Sequence, residues 1–252
     1  MTGTARQLSL AAILLAVAAC GVASEGPAPA TPAAPPGPAA PPSSSAPSAP
    51  SAGPAPATPA LEKGWPFAPA PTAEETKAQL ERLGKDQGPL RTNWTPPGKG
   101  ERYGHGEAMI GAPYDVVKAR LLDFAHYKDL AGPKFKKVSV VDKQGGFTDL
   151  YFQLPIMKGL VTIWYVTRFG SARSVPGLGD VIEGNFVKGN IKDMQIVFTL
   201  RPGPDAKSTV VVCDLNLAIS IPAPQDALDE ELRDACGDAL NAVRARTTQP
   251  PP

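Results

Sequence analysis

The chain has 252 residues, 30 of them proline, and its 25 Lys+Arg nearly balance its 24 Asp+Glu, which excludes a strongly basic nucleic-acid binder and an acidic solvating tail. Residues 21–60 hold 13 Pro, 13 Ala, 6 Ser, 4 Gly and 2 Thr, leaving only Val22 and Glu25, and such a stretch cannot bury a core. About 180 residues remain for folding, enough for one well-cored domain but not for a two-domain enzyme, and no apolar run is long enough to span a membrane as a helix.

Residues 1–7 are a short polar start carrying Arg6. Residues 8–19 (LSLAAILLAVAA) form an unbroken 12-residue weakly polar-to-apolar run, the length of an export-signal core and too short for a spanning helix. The run ends in Val17-Ala18-Ala19-Cys20-Gly21, small residues before a cysteine, which resembles the lipobox of bacterial lipoproteins. That resemblance implies cleavage after residue 19, lipidation of Cys20 and an exported chain anchored in the cell envelope. Several acyl chains, at about 0.8 kcal/mol per buried CH₂, anchor a protein stably. Gly21 in place of Asp after the cysteine points, by analogy with enteric lipoproteins, to the outer membrane facing the periplasm. The alternative is an ordinary secretory signal with an incidental cysteine.

Residues 20–71 read as a disordered Pro/Ala/Ser-rich tether. Polyproline II at about 3.1 Å per residue gives it a reach on the order of 100–150 Å. It holds a domain clear of the lipid or is neutral filler.

In 72–100, Thr72-x-x-Glu75 is a capping box and Gly84 a stop, predicting a short helix over 73–83 with Leu80 and Leu83 on its apolar side. The breakers Pro96, Pro97 and Gly98 make 85–100 a loop. Residues 102–110 alternate Tyr103, His105, Glu107 and Met109 against Gly104, Gly106, Ala108 and Ile110, a strand. Ala112-Pro113 opens a helix over 114–124, and 127–130 closes a second short turn. Strands follow over 136–142, 147–154, 160–169, 180–188, 193–201 and 208–221. The last is the cleanest, with Val211, Cys213, Leu215, Leu217 and Ile219 on one face and Asp214, Asn216 and Ser220 on the other. Pro222 and Pro224 stop it. Residues 225–246 form a long helix with the stripe Leu228, Leu232, Ala235, Ala239, Val243. Residues 248–252 are a disordered tail.

Three stretches carry a second resemblance: "MIGAPYDVVKARLLDFAHYKDL" (109–130), "FTLRPGPDAKSTVVVCDLNL" (198–217) and "SIPAPQDALDEELRDACGDALNAVRAR" (220–246). Together they are similar to the START-like, polyketide-cyclase and coenzyme-Q-binding superfamily. The resemblance covers 101–247. It implies an α+β helix-grip fold, a curved antiparallel sheet of about six to seven strands wrapped around the C-terminal helix. It further implies an apolar cavity between sheet and helix, which in relatives takes lipids, sterols, quinones and polyketides. The alternation supplies candidate ligand-binding walls: Leu150, Phe152, Ile163, Tyr165, Phe169, Phe198, Leu215, Leu217 and Leu232. The same residues also suit a simply packed core.

The two histidines are His105 and His126. No Cys/His cluster has metal-ligand spacing and no nucleotide or nucleophile motif occurs, so the sequence assigns no metal, cofactor or catalytic residue. His105 and Glu107 share one strand face about 7 Å apart. They are either a proton-transfer pair or a solvent-facing surface, and the small residues on the opposite face favour the latter. His126 reads as a surface residue, and Arg168 and Asp149 point outward. Cys213 and Cys236 form either a disulfide or two buried thiols. The apolar tip 155–160 either gates a cavity, touches a membrane or tucks against the N-terminal helix.

Three functions follow. The first is a membrane-anchored binding module or carrier for an apolar small molecule. The second is an interaction module with a filled core. The third is an enzyme of the polyketide-cyclase type, which needs titratable residues that the inward faces lack.

Overall fold

The computed structural model describes residues 71–85, 88–97, 99–156, 161–220 and 224–248. Cys20, the signal and the tether lie outside these residues, as do 157–160 of the hairpin tip, Pro222 and residues 249–252.

The first element is α1 (Ala73–Lys85). Its capping box forms as expected: the Thr72 backbone N–H donates to Glu75 Oε2 at 2.7 Å, and the Glu75 N–H donates to Thr72 Oγ1 at 3.2 Å. The segment expected to be loop contains a strand, β1 (Leu90–Trp94). Its polar side chains hid it. Arg91 reaches Asp234 and Asp238 of the C-terminal helix, and Asn93 donates to the Asp229 carbonyl at 2.8 Å, so this edge strand is polar where a strand usually turns apolar.

β2 (Tyr103–Ile110) leads into α2 (Tyr114–Leu122), one 3₁₀ turn (Phe124–His126) and α3 (Tyr127–Ala131). Six strands follow: β3 (Lys137–Gln144), β4 (Phe147–Ile156), β5 (Val161–Phe169), β6 (Arg173–Val175), β7 (Gly179–Gly189) and β8 (Asp193–Pro202). β9 (Thr209–Ala218) and α4 (Gln225–Thr247) end the domain. The sheet therefore has nine strands where about six to seven were expected, the additions being β1 and the three-residue β6.

All pairings are antiparallel, in the order β1-β2-β9-β8-β7-β5-β4-β3, with β6 on β7. Gly145 and Gly146, both at positive φ, make the tight turn between β3 and β4. Register shifts at Val140/Asp142 and Val166/Thr167 bend the strands.

One sheet face packs on α2, α3 and α4. There Ala108, Ile110, Leu150, Phe169, Ile182, Leu200, Val211 and Cys213 join Val117, Leu121, Cys236, Leu240 and Val243 in one core. α4 settles against β2 because that strand offers glycine. A Cβ at Gly104 would collide with the Leu232 carbonyl, and one at Gly106 would lie 2.9 Å from Leu240 Cδ1. This approach corrects the expected stripe. The buried positions of α4 are Asp229, Leu232, Cys236, Gly237, Leu240, Val243 and Arg246, whereas Leu228, Ala235 and Ala239 stay half-buried. Part of the opposite sheet face is also covered: α1 lies against β2, and Tyr103, Val181 and Val197 form a small second core with Trp94 and Val175.

Candidate functional site

The inner sheet face and α4 enclose an aromatic interior. β4 and β5 pair Phe152 with Tyr165, so the two rings stack with centroids 5.2 Å apart. Phe135 stands edge-on to Phe152 at 5.7 Å. Phe169 meets Phe124 at 5.3 Å and Tyr127 at 5.2 Å. Of the expected wall residues, Leu150, Phe152, Ile163, Tyr165, Phe169 and Phe198 are buried in this one core. Leu215 and Leu217 lie at its margin, half-buried, beside Ile196 and Ile219. Leu232 is buried apart from them, where α4 crosses Gly104.

In the sequence, Tyr127 opens the short turn over 127–130 and lies within the stretch 109–130 that carries the family resemblance. It is 4% exposed, and its hydroxyl has no hydrogen-bond partner among the described residues. Leaving such a group unpaired costs about 1–3 kcal/mol. Burial pushes its phenol well above the ordinary tyrosine value, as it does for Tyr165. The available signal was a hydroxyl-bearing ring at an apolar position between Phe124 and Leu130.

Cys213 on β9 and Cys236 on α4 are both free and buried in this structure. Burial first, then a hydrogen bond with Cys213, raises the Cys236 thiol well above its ordinary value. A thiol held protonated in this way, as Cys236 is, is not poised as a thiolate nucleophile.

The outer face carries a half-buried polar network, and it overturns the solvent-facing reading of His105 and Glu107. α1 and Trp94 cover this face, leaving the two side chains 18% and 12% exposed. His105 Nδ1 lies 2.6 Å from Asp214 Oδ1, and Nε2 lies 2.9 Å from Glu107 Oε1. Trp94 Nε1 donates to Asp214 at 2.7 Å, and Arg82 of α1 donates to Glu107 at 2.5 Å. Gln79 of α1 also bonds Glu107 and accepts from Arg201.

Burial alone would lower the His105 pKa, but the hydrogen bonds and charges of Asp214 and Glu107 prevail and raise it from 6.5 to about 10. Burial likewise opposes ionisation of Glu107, yet His105, Gln79 and Arg82 hold it down at about 2. At neutral pH the imidazole is a cation donating from both nitrogens. It has no lone pair with which to take a proton, so the arrangement is a clamp and not a general base.

The other polar candidates are settled locally. Arg168 donates to both carboxylate oxygens of Asp149 at 2.7 and 2.8 Å on the outer face. His126 is exposed and bonds Asp123 at 2.9 Å. A polar cleft of about 320 Å³ at the start of α4 is lined by Asn93, Arg102, Asp226, Asp229, Glu230 and Arg233. Its buried carboxylate, Asp229, is already held by Arg102 at 2.9 Å and Gln225 at 2.7 Å. Among the described residues, no group of three or more His, Cys, Asp or Glu side chains is placed to hold a metal ion. None of the described helices is long and apolar enough to cross a membrane.

No family model and no curated protein matches the chain. Solved structures do. A STAR-related lipid transfer protein from Xanthomonas axonopodis is similar at TM-score 0.54 and 16% identity, over 66% of this chain and 96% of that one. Human STARD10 is similar at TM-score 0.50 and 12% identity, over 73% and 83% of the two chains. The lipid transfer and protein localization domain of human StarD13 follows at TM-score 0.49 and 15% identity, over 72% and 99%. At these identities the likeness to the first two is one of fold alone, a helix grip.

Proposed function

We propose that the domain binds a mostly apolar small molecule between the sheet and α4, and that the chain presents it from the bacterial cell envelope on a tether lipidated at Cys20. One observation carries the binding reading. Ile196 and Leu215 pair across β8 and β9 and face inward, as does Leu217 opposite the buried Met194, and yet Ile196, Leu215 and Leu217 remain partly exposed against the buried aromatic core. A filled core would shut such a row from water. A row left open to it is the margin of a site. The similarity to a lipid transfer protein supports the same reading. The clamped His105 and the buried thiols supply no base or nucleophile, which favours a carrier over a polyketide-cyclase-type enzyme.

The anchor rests on residues 8–21. With Gly21 after the cysteine, the reading extends to the outer membrane, facing the periplasm. A Cys20→Ala chain will lose incorporated fatty acid and cleavage after residue 19; fatty acid still incorporated in that variant rejects the anchor.

The binding reading is tested by narrowing the margin. Leu217→Trp is expected to abolish binding of a fluorescent fatty-acid or quinone probe while leaving the melting temperature within a few degrees of the parent. Equal probe binding by the parent and by Leu217→Trp contradicts this site. No binding by the parent favours an interaction module with a filled core.

A further inference from the structure

The ring of Tyr127 is surrounded by Phe124, Phe152 and Phe169, with centroids 5.4, 6.5 and 5.2 Å away. Its hydroxyl is buried and bonded to no described protein group. Cys213 and Arg246 are close enough to act on it electrostatically. Arg246 is itself engaged, donating to Asp123 Oδ2 at 2.6 Å and to the His126 carbonyl at 3.5 Å. The interior near Tyr127 therefore offers one unused hydrogen-bond donor, a set of aromatic faces and a guanidinium already neutralised.

We propose that the Tyr127 hydroxyl is the polar anchor of the interior and donates a hydrogen bond to the carbonyl oxygen of a neutral, mostly apolar ligand. The proposal rests on the reading of the interior as a ligand site and adds the ligand's class. A carboxylate would carry an uncompensated charge into an apolar shell, because Arg246 is taken by Asp123. A pure hydrocarbon would leave the hydroxyl unsatisfied. An alcohol would bring a donor that needs an acceptor of its own. A ketone or related carbonyl compound with a flat unsaturated body answers both the phenol and the stacked Phe152–Tyr165 pair.

The test uses the full chain and two probes of nearly equal shape, 2-acetylnaphthalene and 2-ethylnaphthalene, titrated calorimetrically. The parent is expected to bind the ketone about tenfold more tightly than the hydrocarbon. Tyr127→Phe is expected to erase that preference by weakening the ketone alone. The same preference in both proteins overturns the proposal, as it would if a buried water served the hydroxyl instead.

Infrared spectroscopy of the parent makes the test independent of how the variant folds. The bound ketone's C=O stretch should lie below its position in hexane, and an unshifted band overturns the proposal. If the parent binds the hydrocarbon but shows no carbonyl preference, only the anchor fails. If it binds neither probe, the ligand-site reading fails and takes the anchor with it.

Discussion

Replacing His105 by Gln removes the cation that two buried carboxylates share. The rise in its pKa from 6.5 to about 10 sets a ceiling of roughly 5 kcal/mol on the interaction. The depression of Glu107 to about 2 describes the same contact from its other end and is not added. Removing one partner of a buried ion pair costs about 3–5 kcal/mol. Here Glu107 keeps Arg82 and Gln79, and Asp214 keeps the Trp94 indole, so the expected loss is about 2–4 kcal/mol. The pH dependence has a definite sign. A folded-state pKa above the ordinary one stabilises fully below pH 6.5, and that contribution is lost as pH rises through about 10. The Glu107 side of the contact is present above pH 4.5 and fades as pH falls toward about 2. Urea unfolding of parent and His105→Gln at intervals from pH 6 to 10.5 measures both quantities. The parent should weaken across that range while the variant changes less. A variant within 1 kcal/mol of the parent at pH 7, with a parallel pH profile, would refute the clamp.

Gly104→Ala forces a Cβ onto the Leu232 carbonyl, and the resulting shift of α4 should cost about 1–3 kcal/mol in urea unfolding. Gly111→Ala is the control: a Cβ there meets nothing within 4 Å, and its stability should stay within about 0.5 kcal/mol of the parent. A variant at Gly104 as stable as the control would mean that the helix does not approach β2 as described. In a Cys20→Ala chain, Cys213 and Cys236 should resist Ellman's reagent in the folded state and both react on unfolding in urea. Finding no titratable thiol after unfolding would instead reveal a disulfide.

The sequence was most legible where one physical signal acts alone. β9 shows its faces in its second half because Cys213, Leu215 and Leu217 alternate with Asp214 and Asn216 along the strand. α1 begins where its capping box places it. β1 was missed because Arg91 and Asn93 serve α4 across the sheet edge, and no local pattern records that distant demand. The stripe on α4 was misplaced because apolar periodicity counts Leu228 and Ala235, whereas packing is governed by Gly104 and Gly106 on another element. The His105 clamp was read as open surface because alternation reports two faces but not that α1 covers the second. Tyr127 was passed over because its distinguishing property, a hydroxyl with nothing to bond, exists only once Phe124, Phe152 and Phe169 close around it.

The claim that the interior holds an apolar ligand is met most directly by native mass spectrometry of the full chain purified from the envelope of an expressing cell. The account predicts a stoichiometric adduct that solvent extraction releases as a neutral, carbonyl-bearing apolar compound. A clean ligand-free mass, together with failure to bind either naphthalene probe, would contradict it.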